Sequence, residues 1–212
     1  MKWDEFLKIA VKFPLLDTEA LLAGVNDHVP LKVQISRWEK AAKLLQLKRG
    51  FYLLAEPYRK IDIHEPFIAS MLKKPSYISL EKALEYHGLI PEAVPVYTCV
   101  TTKRQAKFVT PAGIFAYRHI KNSLFWGYRS YTLRKQTGFV ASPEKALLDL
   151  VYFNGMNISL KYLNGLRLQN TEKIDLGTLL DYANKFKSPG MLNAMRVIKK
   201  YVDSEREKVK EL

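Results

Sequence analysis

The chain has 212 residues, of which 48% are hydrophobic and 26% are charged, a composition that is typical of a folded globular protein and excludes a wholly disordered chain. No run approaches the roughly 18 consecutive apolar residues of a membrane helix, and the N-terminus lacks the pattern of a signal peptide. We therefore expect a cytoplasmic protein without a membrane partner. The single cysteine, Cys99, excludes an internal disulfide and gives no zinc-ligand spacing, so no metal or other cofactor is predicted.

The charge balance is strongly basic. Lysine and arginine number 34 against 21 acidic residues, which gives a net charge of +13. Such a balance favours polyanions as partners. The stretch from Ala93 to Pro143 contains no acidic residue, but it holds the cations Lys103, Arg104, Lys107, Arg118, Lys121, Arg129, Arg134 and Lys135.

The first part of the chain has the pattern of three short helices. Helical spacing of the apolar residues Trp3 to Phe13 predicts an amphipathic helix that ends at Pro14. Asp17 or Thr18 can cap a second helix, which Gly24 to Asp27 would end. A third helix is predicted from Pro30, with a buried stripe formed by Leu31, Ile35, Trp38 and Ala42.

A predicted hairpin follows the third helix. Residues 44–54, LLQLKRGFYLL, contain two apolar runs separated by Lys48, Arg49 and Gly50, and a glycine between such runs is typical of a tight turn. Three helices followed by a hairpin with a cationic tip is the order of a winged helix-turn-helix. We therefore predict a DNA-binding domain over residues 1–58.

The candidate DNA contacts lie on the third helix and at the hairpin tip. Because a helix fits the major groove, Gln34 and Arg37 are expected to meet base edges, with Ser36 beside them. The remaining cations are expected to neutralise phosphates; they are Lys32, Lys40, Lys43, Lys48 and Arg49. The alternative is a solvated helix face in a domain that binds protein, since winged helices also do so.

A second domain is predicted over residues 66–212, after a polar boundary near residues 56–65. Helical patterns occur at 66–74, 78–87, from Ser142 onward, and at 158–167, 175–186 and 189–206. Between them lie four β-prone runs, namely Val96 to Thr102, Phe108 to Val109, Gly113 to Ile120 and Phe125 to Thr132. The expected fold class is α+β, with a small, mainly antiparallel sheet flanked by helices.

Several separated strings resemble the AbiEi family of antitoxins from type IV toxin-antitoxin systems. They are RWEK (37–40), LKRGFYLL (47–54), SYISLEKALEYHGLIPEAV (76–94), TPAGIFAYRHI (110–120), FWGY (125–128) and ASPEKALLDLVY (141–152). The resemblance covers nearly the whole chain. It implies an abortive-infection (phage-defence) protein whose winged helix represses its own promoter, and whose C-terminal domain counteracts a nucleotidyltransferase-like toxin.

No catalytic motif is apparent, and we do not expect an enzyme. The four histidines, His28, His64, His87 and His119, are scattered, and no phosphate-binding glycine loop or hydrolase motif occurs. A nuclease site could be imagined from the carboxylates Glu81, Glu85, Glu144 and Asp149. However, Ser142 is predicted to cap the helix that follows, with Pro143 as its first residue, so Glu144 has a structural explanation as a first-turn acid. Within Tyr117-Arg118-His119, a role in the sheet is favoured over a specific contact.

The acid-free stretch suggests a rival hypothesis, in which the protein binds RNA or another single-stranded nucleic acid through a basic, aromatic sheet. Its rings are Tyr97, Phe108, Phe115, Tyr117, Phe125, Trp126, Tyr128, Tyr131 and Phe139. Two other interpretations stay open: the rings belong to the core, or the surface docks an acidic protein such as a toxin. An antitoxin surface would comprise Lys103, Arg104, Lys107, Arg118, Lys121, Arg129 and Arg134.

Overall fold

The computed structural model describes residues 1–23 and 29–210, with side chains described as far as residue 207. The predicted helix break at Gly24 to Asp27, and also His28, lie outside the described residues. The fold is α+β, as predicted. No helix within the described ranges is both long and apolar enough to cross a bilayer.

The first 54 residues form the predicted order of three helices and a hairpin. The helices are α1 (Trp3–Ala10), α2 (Thr18–Leu22) and α3 (Val29–Lys40), and the hairpin consists of β2 (Leu44–Lys48) and β3 (Phe51–Leu54). A short strand that the sequence did not predict, β1 (Leu16–Asp17), pairs antiparallel with β3 and gives the sheet order β1-β3-β2.

Local chemistry explains these elements. The carboxylate of Asp17 accepts a hydrogen bond from the backbone N–H of Glu19 at 2.9 Å, which caps α2 as predicted. Gly50, at φ +87°, supplies the left-handed turn of the hairpin. The stripe of α3 is buried as expected except at Ala42, which is exposed because the helix ends at Lys40 and Ala42 itself has φ +53°.

The larger part of the chain is built around a six-stranded sheet with the order β6-β7-β5-β4-β9-β8. Its strands are β4 (Ser76–Ile78), β5 (Val96–Thr101), β6 (Ala106–Thr110), β7 (Gly113–His119), β8 (Tyr128–Leu133) and β9 (Gln136–Ala141). The helices are α4 (Glu65–Leu72), α5 (Leu80–Tyr86), α6 (Pro143–Phe153), α7 (Leu160–Leu166), α8 (Leu176–Lys185) and α9 (Pro189–Lys210).

The sheet is mixed, so the expectation of a mainly antiparallel sheet needs correction. Three of the five pairings are antiparallel, but β4 pairs parallel with β9 and β5 pairs parallel with β7. The β4–β9 pair joins strands that are distant in sequence, and the β5–β7 pair joins two strands between which β6 lies in the chain. The sequence pattern also missed β4 and β9. Strand β4 is only three residues long and begins between the predicted helices at 66–74 and 78–87, and β9 contains Gly138, a residue that weakens a strand signal.

Two hydrophobic clusters underlie this architecture. The smaller one contains Phe6, Trp38 and other residues up to Tyr58. The larger one lies within residues 63–202, and three buried leucines from the first part of the chain, Leu15, Leu47 and Leu53, belong to it. The first part therefore packs against the second through the strands of its hairpin.

A buried ion pair lies at the centre of the larger core. Ser142 accepts a hydrogen bond from the backbone N–H of Lys145 at 3.3 Å and caps α6, as predicted. One turn further along, the Lys145 ammonium donates to the Asp149 carboxylate, and both side chains are completely buried. The same carboxylate accepts hydrogen bonds from the hydroxyls of Ser79 at 2.8 Å and Tyr77 at 3.0 Å. Ser79 thus bonds to Asp149 rather than capping α5.

Candidate nucleic-acid interface

The solvent-facing side of α3 carries three exposed cations, and Glu39 is the one acidic residue of this helix. The side chains of Lys32, Ser36, Arg37 and Lys40 are exposed, while the opposite stripe is buried against the smaller core. None of these three cations forms an ion pair with a carboxylate in the described part of the chain. Their charge is therefore available to a polyanion.

Val33 lies in the middle of this exposed face and was not among the predicted contact residues. Its side chain is 43% exposed. Helical spacing places Val33 next to Arg37, four residues later, and Lys40. The signal was present in the sequence, since an apolar residue outside the buried stripe of an amphipathic helix has no core to enter.

The hairpin tip brings one more cation to the same side. Arg49 is exposed, and together with Lys32 it lines a cleft of about 670 Å³ between α2, α3 and the hairpin. Asp17 and Glu19 line the cleft as well, but the Asp17 carboxylate is engaged in capping α2. Lys32 thus connects the hairpin tip with the exposed side of α3, which by helical spacing continues through Ser36 and Lys40 to Arg37. We call this surface the α3–tip face: Lys32, Val33, Ser36, Arg37, Lys40 and Arg49.

Two predicted contact residues lie apart from this face. The Lys43 ammonium lies 4.8 Å from the centre of the Trp3 ring, in a cation–π contact on the smaller core. Gln34 is half-buried on the flank of α3. Both residues are therefore less suited to a nucleic-acid contact than the sequence pattern indicated.

Lys48 points away from the hairpin tip. Its ammonium donates hydrogen bonds to the carbonyl oxygens of Leu72 at 2.7 Å and Met71 at 3.1 Å, at the C-terminal end of α4. It also lies 4.2 Å from the centre of the Phe51 ring. Burial lowers the pKa of Lys48, an effect that Asp17 partly opposes. The lysine links the hairpin to α4, because a cation satisfies carbonyls that a helix end leaves open.

Lys48→Met is therefore expected to reduce stability and to leave nucleic-acid binding nearly unchanged. The loss should be about 1–2 kcal/mol in the free energy of unfolding, the usual effect of removing one partner of such hydrogen bonds. Urea denaturation measures the loss. Arg49→Ala is the matched control. It should leave the free energy of unfolding nearly unchanged and should lower the slope of log affinity against log salt by about one phosphate contact. Weaker duplex binding by Lys48→Met without a loss of stability would contradict this placement of Lys48.

The seven cations proposed for an antitoxin surface do not form one surface. Lys103 and Arg104 precede β6 and Lys107 lies on it, at one edge of the sheet, whereas Arg129 on β8 and Arg134 after it lie at the other edge. Five strand spacings of about 4.8 Å separate the two edge strands, which amounts to about 24 Å. Lys121 follows β7 and lines a separate cleft.

Two of these seven cations are engaged within the chain. The Arg118 guanidinium lies 4.3 Å from the centre of the Phe153 ring, and Arg134 pairs with Asp62. The neighbours of Arg118 are also bonded: the Tyr117 hydroxyl donates to the Ala69 carbonyl at 2.6 Å, and the His119 ring nitrogen Nδ1 lies 3.1 Å from the Lys103 carbonyl oxygen. The favoured role of this triplet, residues with satisfied bonds in a sheet, agrees with the geometry.

The aromatic residues of the acid-free stretch pack on the larger core. Phe115 and Tyr117 are buried within it, and the other seven rings, all in the described part of the chain, are half-buried against it. Tyr97 stacks on Phe115 with 4.9 Å between ring centres. The interpretation of these rings as core residues, which the sequence left open, accounts for their positions.

Three of the four carboxylates considered for a nuclease site have structural partners. Asp149 belongs to the buried ion pair, and Glu144 accepts a hydrogen bond from the backbone N–H of Asp175 at 2.9 Å. Glu85 pairs with Lys82 and accepts from the backbone N–H of Val94 at 3.0 Å. Within the described residues, no group of three or more histidine, cysteine or acidic side chains could hold a metal ion.

Comparison with known proteins adds no relative from which a role could be transferred. No protein-family model matches the chain, and no curated protein is significantly similar to it.

Proposed function

We propose that residues 1–58 form a winged helix-turn-helix that binds double-stranded DNA through the α3–tip face. The observation that carries this proposal is the exposure of Lys32, Arg37, Lys40 and Arg49, none of which forms an ion pair with a carboxylate in the described part of the chain. Lys32 and Arg49 also share one cleft. Further support comes from the element order and the sheet order β1-β3-β2. In this arrangement α3 enters the major groove with Arg37 towards the bases, while Lys32, Lys40 and Arg49 meet phosphates.

We further propose that the DNA is the promoter of the protein's own gene and that the protein is a transcriptional repressor and antitoxin of the AbiEi type. This step rests on the resemblance of the six strings described above. A nucleotidyltransferase-like toxin is then the functional partner. The rival function, single-strand or RNA binding by a basic aromatic sheet, has less support, because the rings pack on the core and the cations divide between two sheet edges.

Fluorescence anisotropy with labelled duplexes tests the DNA-binding proposal. The duplex upstream of the gene should bind more tightly than a scrambled duplex of the same length and base composition at about 150 mM salt, since specific contacts survive there while phosphate contacts weaken. Equal affinity for both duplexes at every salt concentration would contradict it. Co-expression with the adjacent toxin gene tests the antitoxin step separately, and continued growth arrest would contradict that step alone.

The exposed position of Val33 leads to a prediction about base recognition. An exposed valine at the centre of a recognition helix suits the C5-methyl group of thymine. Replacing thymine by uracil throughout the upstream duplex should therefore weaken binding of the unaltered protein about threefold to fourfold, the value of about one buried methyl group. With Val33→Ser, the thymine and uracil duplexes should bind alike. A persistent preference for thymine in that variant would exclude Val33 as the reader.

A further inference from the structure

A second cleft lies in the larger part of the chain, far along the sequence from the α3–tip face. Its volume is about 710 Å³, which falls within the range of roughly 300–1,000 Å³ common for small-ligand sites. Three aromatic rings and three ammonium groups line it, together with the hydroxyls of Ser123 and Ser188. The six side chains, which we call the Trp126 cleft, are Lys121, Trp126, Tyr152, Lys185, Phe186 and Lys187.

The charged side chains that line the cleft are all positive. No carboxylate lines it. Lys121, Lys185 and Lys187 also form no ion pair with any acidic residue in the described ranges. The buried acid Asp149 is paired with Lys145, whose ammonium lies 4.9 Å from the centre of the Trp126 ring. A ligand in this cleft would therefore meet uncompensated positive charge, which selects an anion.

The aromatic wall is held in a fixed arrangement. The Trp126 indole N–H donates to the Ser123 carbonyl at 3.0 Å, and the ring makes edge contacts with Tyr182 and Phe186. The Gly127 backbone adopts φ +76° directly against the Lys145 side chain, where a Cβ atom would lie only 3.0 Å from it. Trp126 is thus positioned before any ligand arrives, which lowers the entropic cost of binding.

Cations already lie close to this ring. The Lys145 ammonium is 4.9 Å and the Lys185 ammonium 5.1 Å from the centre of the Trp126 ring. Lys185 is on the exposed end of α8, so its ammonium can turn from the ring to an anion at the rim. Two half-buried rings, Trp126 and Tyr152, and three exposed lysines at one opening suit a planar group joined to a phosphate.

We propose that the Trp126 cleft binds a nucleoside 5′-phosphate. The base stacks on the wall formed by Trp126 and Tyr152, and the phosphates contact Lys121, Lys185 and Lys187 at the rim. This site is separate from the α3–tip face and does not depend on DNA binding. The volume admits one nucleotide, which distinguishes it from a groove that follows a strand.

Two-dimensional NMR of the indole N–H groups tests the proposal on the full chain. The protein has three tryptophans, and Trp126→Phe assigns the signal of Trp126. Titration with ATP, GTP, CTP and UTP should shift the Trp126 signal while those of Trp3 and Trp38 stay in place. Inorganic phosphate and free nucleosides should bind at least about tenfold more weakly, since each supplies only one half of the contacts.

Variants assign the binding to the cleft. Lys121→Ala combined with Lys187→Ala should weaken nucleotide affinity about tenfold or more, and Trp126→Leu should do the same by removing a stacking ring. The matched control is Lys199→Ala combined with Lys200→Ala, which removes the same charge from the exposed side of α9 and should change the affinity less than about twofold. The lysine variants keep the test valid if Trp126→Leu does not fold.

Three results would overturn the proposal. The first is a Trp126 signal that no nucleotide shifts at millimolar concentration. The second is an equal loss of affinity in the α9 control. The third is tight binding of a single-stranded oligonucleotide without binding of any mononucleotide, which would assign the cleft to a strand instead.

Discussion

Replacement of Asp149 by alanine is expected to lower the free energy of unfolding by about 3–5 kcal/mol, the usual cost of leaving one charge of a buried pair without its partner. Burial alone lowers the pKa of Lys145, and the Asp149 carboxylate opposes that effect. The substitution removes this compensation. It also removes the acceptor for the hydroxyls of Tyr77 and Ser79. Urea denaturation followed by circular dichroism measures the loss.

Two further variants identify the cause. Lys145→Met combined with Asp149→Asn removes both charges but keeps an acceptor for the two hydroxyls, so its stability should lie within about 1–2 kcal/mol of the unaltered protein. Asp62→Ala breaks the exposed ion pair with Arg134 and should cost less than about 1 kcal/mol. A double variant as unstable as Asp149→Ala would contradict the assignment of the loss to the unpaired charge.

The triple variant Arg37→Ala, Lys40→Ala, Arg49→Ala is expected to weaken binding to the upstream duplex by about 100-fold or more at physiological salt. A bidentate arginine on guanine contributes roughly 1–3 kcal/mol, and two phosphate contacts add to it. The slope of log affinity against log salt should also fall by about two contacts. Anisotropy at four salt concentrations gives both quantities.

Helix α9 supplies a control with the same change in charge. Arg196→Ala, Lys199→Ala, Lys200→Ala also removes three exposed cations, from a helix that packs on α6, α7 and α8. Its affinity for the duplex should change less than about threefold, because exposed charges beyond a Debye length of about 8 Å are largely screened. Equal weakening in the two triple variants would mean that net charge alone, not the α3–tip face, governs binding.

The sequence predicted local structure well where short-range chemistry determines it. The caps at Asp17 and Ser142, the glycine turn at Gly50 and the buried stripe of α3 up to Trp38 all depend on residues within a few positions of one another. These features were confirmed for that reason. The boundary errors, such as Ala42 beyond the end of α3, arise where the backbone conformation changes over a single residue.

Long-range placement was not accessible from the sequence. Lys48 stands beside Arg49 at the hairpin, yet it bonds to carbonyls 23 and 24 residues away, and no local pattern distinguishes the two cations. The acid-free stretch is one basic segment in the sequence, but the strand order places its cations at opposite edges of the sheet. The Trp126 cleft unites Lys121 with Lys185 and Lys187 through the packing of α6, α8 and the loop after β7.

The central claim, that α3 lies in the major groove, can be tested by cleavage from the helix itself. Cys99 is buried, so Ser36→Cys supplies the accessible thiol to which an iron–EDTA reagent is attached, and Lys199→Cys on α9 serves as the control position. We predict that the Ser36 conjugate cuts the upstream duplex at defined positions inside the bound site, while the Lys199 conjugate cuts little there. Absence of cleavage by a bound Ser36 conjugate, or equal cleavage from both positions, would contradict the claim.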